Sequence, residues 1–252
     1  MTRGVAFALV GLLALAGCAK NSDQALQGWV EANLIFVGPD DAGRVETLSV
    51  REGDKVTKGT PLFTVDPRLQ EDAVKTAEAS LLNARQSFDR AQALVKTAAG
   101  TQATLDTAIA ALRTAEAQLA TAKTQLARRS MASPVSGSVQ DVYYRPGELV
   151  PAGRPIVSLL PPQNLKIRFF APEGELTYIK YGQTVAVSCD GCGQGLTAKV
   201  SFIAGSAEYT PPVIYSLEER AKLVYLIEAL PAEPEKFRVG QPVTVTLPER
   251  GQ

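Results

Sequence analysis

The sequence predicts a mainly β protein into which an α-helical hairpin is inserted. Two stretches with the same glycine and valine pattern, residues 43–65 and 137–159, have the character of two halves of one small β domain. Between them, residues 67–129 show no strand signal and a sustained helical heptad. Residues 162–252 then contain short segments rich in valine, isoleucine, phenylalanine and tyrosine, which predict a small antiparallel β-barrel.

The composition narrows the possible functions. Lys plus Arg and Asp plus Glu both number 26, so no basic excess indicates a nucleic-acid partner. The 252 residues include no histidine, which removes the commonest general base and metal ligand and excludes Ser-His-Asp and Cys-His catalysis. We therefore expect a protein that is not an enzyme and that uses no cofactor and no metal ion.

The chain begins with a targeting segment, residues 1–17. Its apolar run, residues 5–16, is too short to span a bilayer and is typical of a signal peptide. The run ends in Leu15-Ala16-Gly17-Cys18, which resembles a bacterial lipobox. Cys18 would then carry the lipid, and residues 18–28 would form a lipid-anchored linker in the periplasm. The alternative is an ordinary signal peptide with an incidental cysteine.

The two β stretches are an interrupted repeat that aligns without gaps at an offset of 94 residues (137 minus 43). Strand-like residues broken by glycine predict short strands joined by tight turns. Each copy is too small to bury a core alone, so we expect residues 29–66 and 130–161 to pair into one domain. Seven aligned positions are identical: Gly43/Gly137, Val45/Val139, Arg51/Arg145, Gly53/Gly147, Val56/Val150, Gly59/Gly153 and Pro61/Pro155.

Each copy of the repeat resembles half of a biotinyl or lipoyl domain. Carrier domains of that kind join their halves at a tight hairpin with a modifiable lysine, whereas residues 66–133 separate the halves here. A lipoyl-like domain (barrel-sandwich hybrid) split by a helical hairpin is the signature of the HlyD-type periplasmic adaptors, or membrane fusion proteins. The resemblance covers nearly all of the mature chain. It implies a homo-oligomer, a hexamer in the family, that links an inner-membrane transporter to a TolC-type outer-membrane channel.

Residues 67–129 predict two antiparallel helices that form a coiled coil. Apolar residues recur at alternating steps of three and four, which places them on one seam. Asp66 and Pro67 suit a helix start, and Gly100 suits a left-handed helix stop. An alternative is a dimerisation coiled coil within another scaffold. The seam residues are Val74, Leu81, Phe88, Val95, Leu105, Leu112, Leu119 and Leu126, interleaved with Ala77, Ala84, Ala91, Ala98, Ala108, Ala115 and Ala122.

The tip of the hairpin, residues 90–106, contains Arg90, Leu94 and Thr101. Their spacing is similar to the motif with which the family docks onto TolC-type channels, except that threonine replaces the usual serine. Arg90 and Leu94 share one helical face, which suits a contact. The alternatives are structural: Thr101 caps the second helix, Leu94 widens the seam, and Arg90 is a solvated surface residue.

Cys189 and Cys192 flank Asp190-Gly191, which is a two-residue hairpin signal. Cysteines on the two sides of such a turn would be cross-strand neighbours, close enough for a structural disulfide. Free thiols, a redox pair and a metal site stay open as alternatives. A redox CxxC usually opens a helix, however, and zinc would need two more ligands.

The sequence as a whole predicts a lipid-anchored adaptor in the periplasm, with the inner membrane favoured. Residues 208–216 resemble a segment of the family members that serve ABC-type exporters, so an ABC-type partner is favoured over an RND-type one. Two other functions stay open. One is a thiol-redox or metal-handling lipoprotein that uses Cys189 and Cys192, and the other is a structural envelope lipoprotein.

Overall fold

The computed structural model describes residues 25–209 and 223–248, which fall into two units. One unit comprises residues 33–164, and the other combines residues 25–32 with the described residues from 165 onward. The predicted signal peptide, Cys18 and most of the 208–216 segment lie outside the described residues. Among the described residues, no helix has both the length and the apolar character needed to cross a bilayer. Strand β1 (Ala25–Ala32) belongs to the second unit.

The unit of residues 33–164 contains two four-stranded antiparallel sheets. Their strand orders are β2-β9-β7-β4 and β6-β5-β3-β8. The strands are β2 (Ile35–Val37), β3 (Gly43–Leu48), β4 (Lys55–Val56), β5 (Pro61–Val65), β6 (Ser130–Ala132), β7 (Gly137–Val142), β8 (Leu149–Val150) and β9 (Val157–Leu160).

The two repeated halves exchange strands. Strand β4 of the first half pairs with β7 of the second, where Val56 lies opposite Gly137. Strand β8 of the second half pairs with β3 of the first, where Val150 lies opposite Gly43. The two pairs are equivalent under the repeat, because Val150 lies 94 residues after Val56 and Gly137 lies 94 residues after Gly43. The predicted pairing of the halves is therefore present in the structure as reciprocal strand exchange.

The turns of the repeat follow the same symmetry. The amide of Gly53 donates to the carbonyl of Val139 at 2.9 Å, and the amide of Gly147 donates to that of Val45 at 2.8 Å. Both glycines have positive φ, 89° and 96°, which a residue with a Cβ rarely adopts. The identical glycines thus serve one backbone geometry, built twice.

The core of this unit takes residues from both halves and both sheets. Phe63 is 1% exposed, and Leu62 and Leu159 are fully buried. Burial of apolar side chains stabilises the folded state by about 25 cal/mol per Å² of apolar area removed from water. The other members of the cluster are Val37, Val45, Val50, Val56, Val65, Val139, Val150, Ile156 and Val157.

Two long antiparallel helices, α1 (Arg68–Lys96) and α2 (Gln102–Ala127), connect the halves. All predicted seam residues that lie within these helices are buried or half-buried. Ala91, Ala115 and Ala122 are the buried ones, because alanine lets the two backbones approach closely. An ion pair between Lys123 and Glu78, at 3.6 Å, joins the exposed sides of the helices.

Asp66 fixes the start of α1. One carboxylate oxygen accepts a hydrogen bond from the backbone amide of Arg68 at 3.1 Å, and the guanidinium of Arg68 binds both oxygens at 2.9 and 2.6 Å. These hydrogen bonds lower the pKa of Asp66 to about 2. The helix begins at Arg68, so Pro67 precedes it rather than opening it.

The second unit is a barrel of six strands, in the order β10-β1-β15-β11-β12-β14, closed by pairing of β14 with β10. A short helix, α3 (Glu173–Leu176), follows β10, and β13 adds to the edge of β14. The remaining strands are β10 (Leu165–Pro172), β11 (Thr184–Ser188), β12 (Leu196–Ile203), β13 (Glu208–Tyr209), β14 (Leu223–Pro231) and β15 (Pro242–Thr246).

Strand β1 corrects the predicted domain boundaries. Residues 25–28 were expected in a linker and residues 29–32 in the split domain, but β1 pairs with β10 and β15 of the barrel. Its inward residues are Leu26 and Val30, both buried. Gly28 between them is required because a Cβ there would overlap the backbone of Arg168. The polar residues and the glycine weakened the strand signal of this segment.

The barrel has an internal repeat that the sequence analysis missed. Residues 181–187 (YGQTVAV) and 239–245 (VGQPVTV) have the same pattern 58 residues apart (239 minus 181). In each copy the glutamine side chain closes the turn: Gln183 accepts from the amide of Lys180 at 2.7 Å, and Gln241 from that of Arg238 at 3.0 Å. Strands β11 and β15 are antiparallel, so the two turns lie at opposite ends of the barrel.

We expect Gly137→Ala to destabilise the split domain by about 1–3 kcal/mol, as overpacking typically does. The added Cβ would overlap the backbone carbonyl of Leu160, which is held by sheet pairing. Chemical denaturation measures the loss, with Gly205→Ala as the control because a Cβ there meets open space. Equal stability of the two variants would contradict the close approach at Gly137.

We expect the Asp66 carboxyl to titrate with a pKa of about 2 in the folded chain. Because the folded pKa lies below the unfolded value of about 3.9, the stabilisation by ionised Asp66 is complete above that value and is lost as the pH falls toward the folded pKa. Asp66→Asn should lower stability at neutral pH and remove this part of the acid dependence. Carbon-detected NMR titration gives the pKa, and an ordinary value would contradict the hydrogen bonds from Arg68 to the carboxylate.

Candidate functional site

The candidate site is the hairpin tip, residues 90–101, which comprises the last turns of α1 and the connection to α2. The amide of Ala98 donates to the carbonyl of Val95 at 3.0 Å, and the amide of Ala99 donates to that of Leu94 at 2.9 Å. This is a Schellman arrangement, in which the residue after the C-cap adopts the left-handed conformation. That residue is Ala98, with φ of 57°. The prediction that Gly100 provides the left-handed stop is therefore wrong.

Gly100 has a different role at the tip. Its amide donates to the carbonyl of Leu94 at 3.1 Å. A Cβ at Gly100 would lie 3.0 Å from the Cβ of Leu94, which is tighter than ordinary packing. The absence of a side chain thus lets the returning chain pass directly over Leu94.

Leu94 and Arg90 form the outer surface of the last turns of α1. The Leu94 side chain is 49% exposed, although it is one of the larger apolar residues of the hairpin. Arg90 lies one turn earlier on the same face, and its guanidinium donates to the hydroxyl of Ser87 at 3.1 Å. The structure therefore brings an exposed apolar side chain and an oriented cation together, as the predicted spacing requires.

Thr101 is the N-cap of α2. Its hydroxyl oxygen accepts from the backbone amide of Thr104 at 3.2 Å and lies 2.7 Å from the hydroxyl of the same residue. The capping role that the sequence allowed is thus present in the geometry. Thr101 is exposed and positions the returning helix at the tip.

Cys189 and Cys192 lie in the loop between β11 and β12. Strand pairing ends at Val187 and Leu196, so the cysteines are not cross-strand neighbours of a two-residue hairpin. They are the first and last residues of one turn, closed by a hydrogen bond from Cys192 to Cys189 at 3.1 Å. In the structure a disulfide joins them, with the Cα atoms 5.3 Å apart.

The surroundings of the disulfide are those of a strand connection. The side-chain amide of Gln241 donates to both sulfur atoms at 3.3 Å, so the disulfide packs against the second glycine-glutamine turn of the barrel. The loop joins two strands, whereas a redox CxxC usually opens a helix. Within residues 25–209 and 223–248, no three His, Cys, Asp or Glu side chains form a metal-binding group.

Comparison with known proteins identifies the family. Residues 33–160, just over half of the 252-residue chain, match the family described as RND MFP, barrel-sandwich hybrid domain. The chain is 28% identical over 324 aligned positions to a UPF0194 membrane protein in the asrC 5' region of Acidithiobacillus ferridurans, covering 96% of this chain and 95% of the relative. It is 31% identical over 176 positions to the UPF0194 membrane protein YbhG of Salmonella gallinarum, covering 66% and 53%.

Solved structures show the same fold. The membrane fusion protein Spr0693 of Streptococcus pneumoniae matches with a TM-score of 0.70 and 22% identity, covering 90% of this chain and 100% of that one. A MacA-MexA chimeric protein with the Pseudomonas aeruginosa MexA α-hairpin domain matches with a TM-score of 0.71 and 23% identity, covering 89% and 82%.

A split barrel-sandwich domain, an inserted helical hairpin and a barrel together define a membrane fusion protein, the periplasmic adaptor class of efflux systems. The chain belongs to the RND membrane fusion protein family through its barrel-sandwich hybrid domain. Proteins of this class work with inner-membrane transporters and outer-membrane channels.

We expect Ala98→Gly to stabilise the hairpin tip by up to about 1 kcal/mol, because glycine removes the cost of a Cβ in the left-handed region. Hydrogen exchange of the amides of residues 97–100 should slow in this variant. Ala99→Gly is the control: Ala99 has no positive φ, so glycine there should be neutral or destabilising. A destabilised Ala98→Gly variant would show that the left-handed turn is not formed in solution.

Proposed function

We propose that this chain links an inner-membrane transporter to a TolC-type outer-membrane channel and that the hairpin tip makes the contact with the channel. The observation that carries this proposal is the exposure of Leu94 beside Arg90 at the turn of a hairpin that the split domain holds in place. An exposed leucine at a tight turn, close to a charged and hydrogen-bonded neighbour, suits docking into a shallow apolar site with a polar rim.

The three tip residues have different tasks in this proposal. Leu94 enters the channel surface and Arg90 pairs with an acceptor there. Thr101 contributes by holding the start of α2, which keeps the chain closely packed over Leu94. Burying one leucine gives only about 1.5–3 kcal/mol, so a single tip binds weakly. A ring of six copies engages several tips at once, and that multiplies the affinity without new contacts.

The lipid anchor completes the adaptor. Cys18 follows a leader of the length and composition of a signal peptide, and acylation there tethers the chain to the periplasmic face of the inner membrane. Several acyl chains together hold a protein far more firmly than one, at about 0.8 kcal/mol per buried methylene. The chain then acts by sealing and coupling two membrane proteins, and no group of the adaptor carries out a chemical reaction.

The transporter in this proposal is of the ABC type. Support comes from residues 208–216, which are similar to a segment of adaptors that serve ABC exporters. An RND-type transporter is the alternative, since the matching family carries that name. Affinity purification of the full-length lipoprotein from its own membranes, followed by mass spectrometry of the transporter that accompanies it, decides between them.

We expect a photoreactive amino acid at Leu94 to capture a TolC-type channel in living cells. The matched control is Leu82, another leucine of α1 that is 59% exposed but lies more than three helical turns from Leu94. A probe there should capture no channel. Leu94→Asp should abolish co-purification of the channel while leaving the helix content unchanged, because the side chain is not in the seam.

Two outcomes of this experiment would contradict the proposal. Capture of only other copies of the chain at Leu94 would make this residue a packing contact and favour a dimerising scaffold. Capture of the channel from Leu82 as strongly as from Leu94 would move the contact from the tip to the side of the hairpin.

A further inference from the structure

One end of the barrel is marked by the start of β1. Ala25 pairs with Thr246, the last residue of β15, and Thr246 also pairs with Ala186, two residues after the start of β11. On the other side, Pro172 ends β10 and pairs with Val224 near the start of β14. These strand termini define what we call the anchor end of the barrel.

The anchor end carries exposed aromatic side chains. Tyr178 follows α3 and is 49% exposed, and Tyr181 is 79% exposed, the highest value among the large apolar or aromatic side chains of the described residues. Lys180 lies between them and is exposed. Leu223, at the start of β14, adds a further apolar side chain that is 40% exposed.

The turn that presents Tyr181 is rigid. The amide of Lys180 donates to the side chain of Gln183, and the amide of Gln183 donates back to the carbonyl of Lys180 at 3.1 Å. The amide of Gly182 donates to the carbonyl of Val200 at 2.9 Å, which ties the turn to β12. Tyr181 is therefore held outward with little loss of backbone freedom on binding.

The equivalent turn at the opposite end has no aromatic side chain. Val239 occupies the position of Tyr181 in the second glycine-glutamine turn, and Gly182 and Gly240 share a φ of 80°. The side chain of Val239 is 50% exposed. The backbone thus requires no tyrosine at this position, and only the anchor end has one.

The number of residues between Cys18 and β1 limits how far the anchor end can lie from the membrane. Ala25 comes seven positions after Cys18 (25 minus 18), and an extended chain of seven steps spans at most about 25 Å. With Cys18 acylated, the anchor end is held within that distance of the phospholipid headgroups. Tyrosine favours this interface because its ring is apolar and its hydroxyl is polar, and a lysine beside it can extend its charge to the headgroups.

We propose that the anchor end of the barrel rests on the phospholipid surface through Tyr178 and Tyr181, with Lys180 directed at the headgroups. This inference rests on the proposed acylation of Cys18 and is independent of channel docking at Leu94. The two tyrosines give the tethered barrel a fixed side toward the membrane. The lipid anchor alone supplies attachment without orientation.

The test uses the full-length lipoprotein in vesicles of phosphatidylethanolamine with a minority of phosphatidylglycerol. A photoreactive benzoyl-phenylalanine replaces Tyr181 in one variant and Val239 in the other, which matches the turn geometry. We expect severalfold more phospholipid adduct at position 181 than at position 239, measured by mass spectrometry. In the unsubstituted chain, hydrogen exchange at residues 178–183 should slow on transfer from detergent to vesicles, whereas residues 236–241 should not change.

Each other outcome overturns the inference. If the chains float with the vesicles but give equal or no lipid adducts at the two positions, acylation of Cys18 is supported and the tyrosine contact with the membrane is contradicted. If the chains do not float, both acylation of Cys18 and the membrane contact are contradicted, and channel capture at Leu94 remains a separate result. A probe at position 181 that captures a transporter in cells, in place of lipid, assigns the anchor end to a protein contact.

Discussion

The exchange of strands between the two repeated halves is the constraint on which this structure depends. Strand β4 completes the sheet of the second half and β8 completes the sheet of the first, so neither half has a finished sheet alone. Closing the domain also brings β5 beside β6, where Phe63 pairs with Met131. The ends of the inserted hairpin are thereby fixed next to each other, and the amide of Val65 donates to the carbonyl of Arg129 at 2.8 Å.

Fixing both ends of the hairpin sets the register of the two helices and so determines what the tip displays. The seam uses alanine where the backbones are closest, which leaves the interface narrow and places Leu94 at its edge instead of within it. The same closeness requires a short turn, and Gly100 allows the chain to pass over Leu94. The exposed leucine is thus a consequence of tight helix packing combined with a short connection.

Some of this follows from the sequence, and the rest does not, for identifiable reasons. The seven identities and the heptad predict the split domain and the seam, because period and glycine position reflect local geometry. The reciprocal exchange does not follow from the sequence, because the repeat pattern is equally compatible with more than one pairing of the strands and tertiary contacts select among them. The left-handed turn falls on Ala98 because the length of the connection overrides residue preference. Strand β1 was not predicted because its own residues have only a weak strand pattern. Pairing with a strand far along the chain stabilises it, and that pairing is not visible in the local sequence.

Both units contain internal repeats. Equivalent positions of a repeat show which residues the backbone conformation requires and which it does not. Gly53 and Gly147 are identical because the same positive φ must be reached twice. Tyr181 and Val239 also occupy one geometry twice, yet they differ, so the backbone does not determine the residue there. A difference between positions of equal geometry therefore points to what surrounds each copy.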